Sequence, residues 1–360
     1  MPLQLLRLID ANLNRSSEGL RVLEDVARFL LNDVGLSQQL KTIRHDLAEE
    51  AKILDIKLLS QRNSEHDVGA HREKIITDET AGNKRDIASI VAGNAKRVEE
   101  SLRVLEELAK LPKISTMLDS AWFEQTRFTL YTLERDLTSR VLRRDKTERL
   151  TGLYVILDKQ ILAGKDELDI ARQIIHGGAR IIQLRDKQSD KAELLPVAQK
   201  LRDLCSKEDV LFIINDYLDL VIAVDADGLH IGQGDLPLPV VRNELPIDKI
   251  IGCSITTVSQ AMEAQDNGVD YIAVGSIFPT ATKEGVTVVG VDMIKELKQN
   301  VAPPLVAIGG INMSNIAEVV AAGADSIAII SAILEEKDIK EAVQQLTAKM
   351  EMTKEKCQNQ

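Results

Sequence analysis

From Gly152 onward the chain alternates short β-branched apolar runs with longer amphipathic stretches, whereas residues 1–145 are Leu-rich, highly charged and helical in period. Strands are predicted at Leu153–Leu157, Ile181–Leu184, Leu211–Ile214, Gly228–Ile231, Ile250–Cys253, Tyr271–Val274, Leu305–Ile308 and Ser326–Ile330. Most are continuous apolar runs, as expected of parallel strands covered on both faces. Helical periodicity separates most pairs, for example over Ala192–Cys205, Ser259–Asp266 and Ile316–Ala322. Eight such units in about 200 residues predict a closed (β/α)8 TIM barrel. A doubly wound open sheet fits less well, because its Gly-rich first turn is missing: Leu153–Leu157 runs into DKQILAG.

The N-terminal half predicts an all-α domain with an internal repeat. Asn12, Arg15, Glu18, Leu20, Arg21, Val22, Leu23, Glu24 and Ala27 recur 82 residues later as Asn94, Arg97, Glu100, Leu102, Arg103, Val104, Leu105, Glu106 and Ala109. Leu13, Leu20, Leu23, Val26 and Ala27 form an apolar stripe at helical spacing. Arg44 and Leu47 match Arg127 and Leu130 at an offset of 83, so two related helical hairpins are expected, packed with pseudo-two-fold symmetry. Asn63–Arg85 between them is polar and Gly-containing, which suits a long functional loop. The predicted layout is a helical domain at 1–140, a linker at 141–150, the barrel at 151–349 and a polar tail at 350–360.

Composition narrows the function classes. A length of 360 residues suits two domains, and 44% hydrophobic with 28% charged residues is a globular profile. The net charge of −11 argues against nucleic-acid or anionic-membrane binding. No apolar stretch reaches the roughly 18 residues of a membrane span, and MPLQLLRLID is not an export leader. Cys205, Cys253 and Cys357 lack metal-ligand spacing, and their odd number suits a reducing compartment. A soluble cytoplasmic protein is expected, with oligomeric state left open.

Chemistry in this architecture sits on the loops after the strands. The second strand ends in Gln183, Leu184, Arg185, Asp186 and Lys187, and the third in Asn215 and Asp216. GQGD with Asp235 follows the fourth, and Cys253–Ser254 ends the fifth. GSIFPTATK follows the sixth, Gly309–Gly310 the seventh, and Ile330–Ser331 the eighth. Arg185, Lys187 and Lys283 would gather three cations at one mouth, which calls for an anionic substrate. Thr280 and Thr282 offer hydroxyls, the glycines let backbone N–H groups approach an oxyanion, and Ser331 opens a helix. Asp216 and Asp235 are oxygen donors on separate loops, as Mg²⁺ prefers when water and phosphate complete its shell. Singly each feature has a plainer explanation: a tight turn for the glycines, a helix cap for an Asp, a buried apolar role for Cys253. His176 and His230 are expected to be structural.

Taken in order, QxR(E/D)K, IND, HxGQxD, GxS, PTxTK, AIGGI and a final IS make residues 150–349 resemble the thiamine-phosphate synthase family. The resemblance implies that hydroxymethylpyrimidine diphosphate loses pyrophosphate and that the thiazole phosphate nitrogen captures the pyrimidine methylene cation. It further implies that Gln183, Leu184, Arg185, Asp186, Lys187, Asn215, Ser254 and Lys283 hold the pyrimidine diphosphate. Thr280, Ala281, Thr282, Gly310, Ile330 and Ser331 would hold the thiazole phosphate, with Asp216 and Asp235 on Mg²⁺. Arg185, Lys187, Ser254 and Lys283 are the expected catalytic set. Asp186, Tyr217 and Gly234 depart from the family pattern without removing a metal or phosphate ligand.

RLIDANLNRSSEGLRVLEDVARF and LKTIRHDL resemble a helical domain found fused to this synthase, which implies hydroxymethylpyrimidine-phosphate kinase activity with ATP. The repeated Asn, Arg and Glu positions suit a phosphate-binding seam. The alternative is a salt-bridged surface face, with Arg15 on Glu18 and Arg21 on Glu24. No P-loop is present, so a kinase here is not of the Walker type. The rivals are a thiazole tautomerase-like barrel with a purely structural, dimerising N-terminal domain, and a barrel epimerase or indole-type lyase.

Overall fold

A computed structural model describes residues 3–52, 86–280, 285 and 287–358, in two units divided between Leu142 and Arg143. The predicted loop 63–85 lies outside the described residues.

The first unit is helical, with α1 at Leu3–Asp25, a π turn at Val26–Leu30, α2 at Val34–Ala51, α3 at Ile87–Ala109 and the greater part of α4 (Ser120–Glu148), whose residues from Arg143 on belong to the second unit. Asp33 and Asp86 start α2 and α3 by accepting the Leu36 and Ser89 N–H groups at 3.0 and 2.7 Å. The repeat sets the core: Leu20, Leu23 and Ala27 are as fully buried as Leu102, Leu105 and Ala109. It also sets the polar interior. Asn12 and Asn94 each donate to the carbonyl four residues back, Leu8 and Ile90, at 2.8 Å. Buried Glu24 accepts from Arg44 at 2.8 Å, and buried Glu106 from Arg127 at 3.2 Å. The same carboxylate–guanidinium contact is therefore built twice. At Gly19 a Cβ would lie 2.5 Å from the Val98 side chain, so the glycine lets α1 and α3 approach closely.

The second unit holds β1 (Gly152–Asp158), β2 (Ile181–Arg185), β3 (Leu211–Asn215), β4 (Gly228–Ile231), β5 (Ile250–Ile255), β6 (Tyr271–Val274), β7 (Leu305–Ile308) and β8 (Ser326–Ile329). All pair in parallel with their chain neighbours, and β1 on β8 closes the (β/α)8 barrel. The strand period of two sorts each apolar run. Val155, Ile182 and Leu184 pack outward beneath the helices, while Tyr154, Ile156, Ile181, Leu211 and Tyr271 fill the interior. Each fully buried Leu or Ile contributes about 1.5–3 kcal/mol, so both layers stabilise the closed sheet. Gly252 on β5 makes room inside: a Cβ there would lie 1.9 Å from the Tyr271 ring.

The opposite end of the barrel is closed by charge. Asp227, Asp270 and Asp325 stand just before β4, β6 and β8. Each carboxylate accepts a backbone N–H at or beside the start of the preceding strand: Phe212 at 2.9 Å, Ile251 at 2.8 Å and Leu305 at 2.7 Å. Cations neutralise them, Arg143 and Arg242 on Asp270 and Lys298 on Asp325 among them. Arg143 belongs to the last turns of α4, which run to Glu148, and Leu150 beyond them is fully buried in the barrel interior. No helix among the described residues is long and apolar enough to cross a membrane.

Candidate active site

Continuing the inward phase of each strand to its C-terminal end brings Asp158, Arg185, Asn215 and Ser254 to one rim. Arg185 donates to Asp158, which is buried and also caps the Gln160 N–H at 3.0 Å. Lys187 reaches across to Asp216 at 3.0 Å. Asp216 sits at φ +63°, a conformation that Asp tolerates better than most residues, and its N–H is anchored on the His230 carbonyl at 2.9 Å. Desolvation and the neighbouring Asp235 raise the proton affinity of its carboxyl, against the opposing pull of Lys187. Asp235 is held in turn by the Gly232 N–H at 2.7 Å. Two carboxylates brought together beside Arg185 and Lys187 form a donor set that fits Mg²⁺, which takes one or two carboxylates and completes its shell with water and phosphate oxygens. Among the described residues no group of three or more His, Cys, Asp or Glu side chains offers a protein-only metal cage.

Beneath the rim the interior is polar where an ordinary barrel core would be aliphatic. Gln183 Nε2 donates to Tyr154 Oη at 2.6 Å, and Tyr154 and Tyr271 meet hydroxyl to hydroxyl at 3.1 Å. His230 Nδ1 lies 3.0 Å from the Tyr271 hydroxyl, and its Nε2 lies 2.9 Å from Ser254 Oγ. Burial pushes the His230 imidazole down to about 4 and both tyrosine hydroxyls up, so all three are neutral across the physiological range. The ring of His230 also stacks on that of Tyr271.

The loops after β6 and β7 meet at the glycines. Gly309 and Gly310 have φ of +102° and +65°, and Cβ atoms there would lie 2.0 Å from Ser276 Oγ and 2.4 Å from the Pro279 carbonyl. The Gly310 carbonyl accepts from Asn315 at 3.0 Å. Thr280 lies at the edge of the described loop, while Ala281, Thr282 and Lys283 fall outside the described residues. Ile330 precedes a helix of only four residues, Ser331–Leu334.

Not every expected contact faces the mouth. The Leu184 side chain packs in the outer layer under the helices, and the Asp186 carboxylate accepts the Gln188 and Ser189 N–H groups at 2.8 and 2.9 Å. Cys253 is buried in the same outer layer. The sequence did not single out Asp158, Tyr154 or Tyr271, and His230, expected to be structural, is buried and hydrogen-bonded to Tyr271 and Ser254. The available signal was phase: these residues stand at inward positions of strands whose other residues are apolar.

In the helical unit Arg15, Glu18, Arg21, Arg97, Glu100 and Arg103 are all exposed. The salt-bridged face expected there is formed differently. Arg21 pairs with Asp25 at 3.5 Å, because Glu24 turns inward to Arg44. Arg103 pairs with Glu106 and Glu107 at 2.9 and 2.8 Å.

Comparison with known proteins agrees with this division. The family described as thiamine monophosphate synthase matches residues 153–333, and the ThiD2 family matches residues 7–136. The thiamine-phosphate synthase of Synechocystis sp. is 36% identical over 351 residues, 97% of each chain. That of Methanospirillum hungatei is 47% identical over 189 residues, which is 52% of this chain and 92% of its own. A solved thiamine phosphate pyrophosphorylase from Pyrococcus furiosus is 36% identical, covers 58% of this chain and 98% of its own, and superposes with a TM-score of 0.54. With a family match over half its length and a relative aligned from end to end, this chain belongs to the thiamine-phosphate synthase family of transferases.

Proposed function

We propose that the rim joins hydroxymethylpyrimidine diphosphate to thiazole phosphate, releasing pyrophosphate. The observation that carries this reading is the convergence of Arg185, Lys187, Asp216 and Asp235 at the C-terminal ends of β2, β3 and β4. The C–O bond between the pyrimidine methylene and the diphosphate breaks, with the electron pair leaving on the diphosphate oxygen. The thiazole nitrogen lone pair then forms the new C–N bond. Such a step depends on stabilising its leaving group, which is the work of Arg185 and Lys187, with Lys283 from the loop after β6 assigned to the same task. Mg²⁺, when held by Asp216 and Asp235, supplies further positive charge at the leaving diphosphate. Asn215 and Ser254 would orient the pyrimidine, and Thr280, Gly310 and Ser331 the thiazole phosphate.

Arg185→Gln tests the charge assignment while keeping a hydrogen bond to Asp158. Pyrophosphate release should fall at least about 100-fold in kcat/KM, read per folded enzyme, because leaving buried Asp158 with a neutral partner also lowers the thermal midpoint. Near-normal turnover would remove Arg185 from the machinery.

For the helical unit we propose phosphoryl transfer from ATP to hydroxymethylpyrimidine phosphate, making the diphosphate on the same chain. The match over residues 7–136 favours this over a purely structural module. A second observation supports it: Arg15, Glu18 and Arg21 recur as Arg97, Glu100 and Arg103 on an exposed surface. Core packing accounts for repetition of the buried residues and ion pairs for that of Arg21 and Arg103, whereas Arg15 and Arg97 repeat on the exposed face outside those pairs. The whole chain, given ATP, Mg²⁺ and the monophosphate, should form the diphosphate, and Arg15→Ala with Arg97→Ala should suppress this without affecting the barrel reaction. A folded chain with no turnover favours the structural module.

A further inference from the structure

Five polar side chains on five strands meet end to end inside the barrel: Gln183 on β2, Tyr154 on β1, Tyr271 on β6, His230 on β4 and Ser254 on β5. The successive separations are 2.6, 3.1, 3.0 and 2.9 Å. Tyr154 and Tyr271 are 1% and 0% exposed, so each hydroxyl hydrogen must find a protein acceptor or remain buried and unpaired. The glycine at position 252 leaves the space that the Tyr271 ring fills, so the backbone itself accommodates this arrangement.

Counting hydrogens gives the chain a direction. An amide nitrogen donates and does not accept, so Gln183 Nε2 supplies a hydrogen to Tyr154 Oη. Tyr154 has one hydrogen of its own, and Tyr271 Oη is the acceptor within reach. The Tyr271 hydrogen then goes to His230 Nδ1. A neutral imidazole that accepts at Nδ1 carries its hydrogen on Nε2, where it meets Ser254 Oγ. With its oxygen engaged as an acceptor, Ser254 has its own hydrogen free for a different partner.

We propose that Tyr154, Tyr271 and His230 are positioning residues that fix Ser254 as a hydrogen-bond donor, and leave the Gln183 carbonyl oxygen as an acceptor, toward the pyrimidine ring of the substrate. This rests on the reading that Gln183 and Ser254 hold the pyrimidine, and adds the residues that set the polarity of those two contacts. A pyrimidine presents acceptor nitrogens at its edge. A site with a fixed donor there rejects a carbocycle of the same outline, because the donor would be left unpaired.

The test compares pyrophosphate release by the full chain, Tyr271→Phe, Ser254→Ala and the double variant. Tyr271→Phe should lower kcat/KM about 10-fold, the scale of one buried hydrogen bond, and Ser254→Ala at least as much. In the Ser254→Ala background Tyr271→Phe should cost clearly less than it does alone, because the part of its effect that passes through Ser254 is already lost and only the part through Gln183 remains. An analogue with CH in place of the ring nitrogens should be discriminated against by the native chain and much less by Tyr271→Phe. An unimpaired Ser254→Ala enzyme would remove the pyrimidine-site reading and the relay with it. A Ser254→Ala loss to which Tyr271→Phe adds in full would overturn the relay alone. Should Tyr271→Phe fold poorly, ¹⁵N NMR of the native chain still decides. The His230 signals, assigned by their loss in His230→Asn, should place the hydrogen on Nε2, and a hydrogen on Nδ1 would reverse the chain and overturn the proposal.

Discussion

Asp216→Asn and Asp235→Asn are each expected to lower Mg²⁺-dependent coupling by at least about 100-fold while leaving the barrel folded. Asn suits the test at position 216 because it tolerates the φ of +63° there, whereas Ala would add backbone strain. The stability effect has a definite sign. In the absence of a divalent cation, burial and Asp235 raise the Asp216 carboxyl above its unfolded value, so the ionised form is less favourable in the folded chain. This penalty is absent below the ordinary carboxylate range, grows as pH rises toward the raised value and is constant above it. Asp216→Asn removes it, so the metal-free variant should melt higher than the native chain above that window and no higher below it. Added Mg²⁺ should stabilise the native chain and not the variant, while a chelator should abolish native turnover reversibly. Full activity in either variant would end the metal assignment.

Asp270→Ala carries the largest expected cost in stability, about 3–5 kcal/mol. Its carboxylate is buried, accepts from Arg143 at 2.8 Å and the Ile251 N–H at 2.8 Å, and also contacts Arg242. Truncation therefore removes the carboxylate that two partly or wholly buried guanidinium groups share. Thermal unfolding of the barrel should shift down by roughly 10 °C or more. Arg143→Met should cost less, since Asp270 keeps Arg242 and the backbone donor. Equal losses from the two changes would mean that the Arg143–Asp270 pair carries the whole effect and that Arg242 and the Ile251 N–H add nothing. Because Asp270 lies far from the rim, the surviving folded fraction should turn over normally.

The eight strands were legible because both faces of a parallel barrel strand are covered, which turns each strand into an apolar run. What each residue faces was harder to read. Gln183 and Leu184 are neighbours in one motif, yet the pleat sends the first inward and the second under the helices. The Tyr154–Tyr271 contact joins residues 117 apart and depends on barrel closure, which no local pattern encodes. Tertiary packing also overrode a local expectation at Glu24: helical spacing pairs it with Arg21, whereas burial pairs it with Arg44. Residues 141–150 read as a polar linker, because the partner that makes Arg143 a buried residue stands 127 positions away. The loop 63–85 and Ala281, Thr282 and Lys283 lie outside the described residues.

The three aspartates before β4, β6 and β8 each hold the strand ahead of them, grouping the barrel into the pairs β3–β4, β5–β6 and β7–β8. Each pair is a βαβ unit whose two strands are tied at the starting edge by one side chain in addition to their backbone ladder. Assembly of the sheet can thus proceed by joining tied pairs rather than threading strands singly, which shortens the effective loop closed at each step. Native-state amide exchange should record the same grouping, with strands of one pair opening together and the seams between pairs opening first.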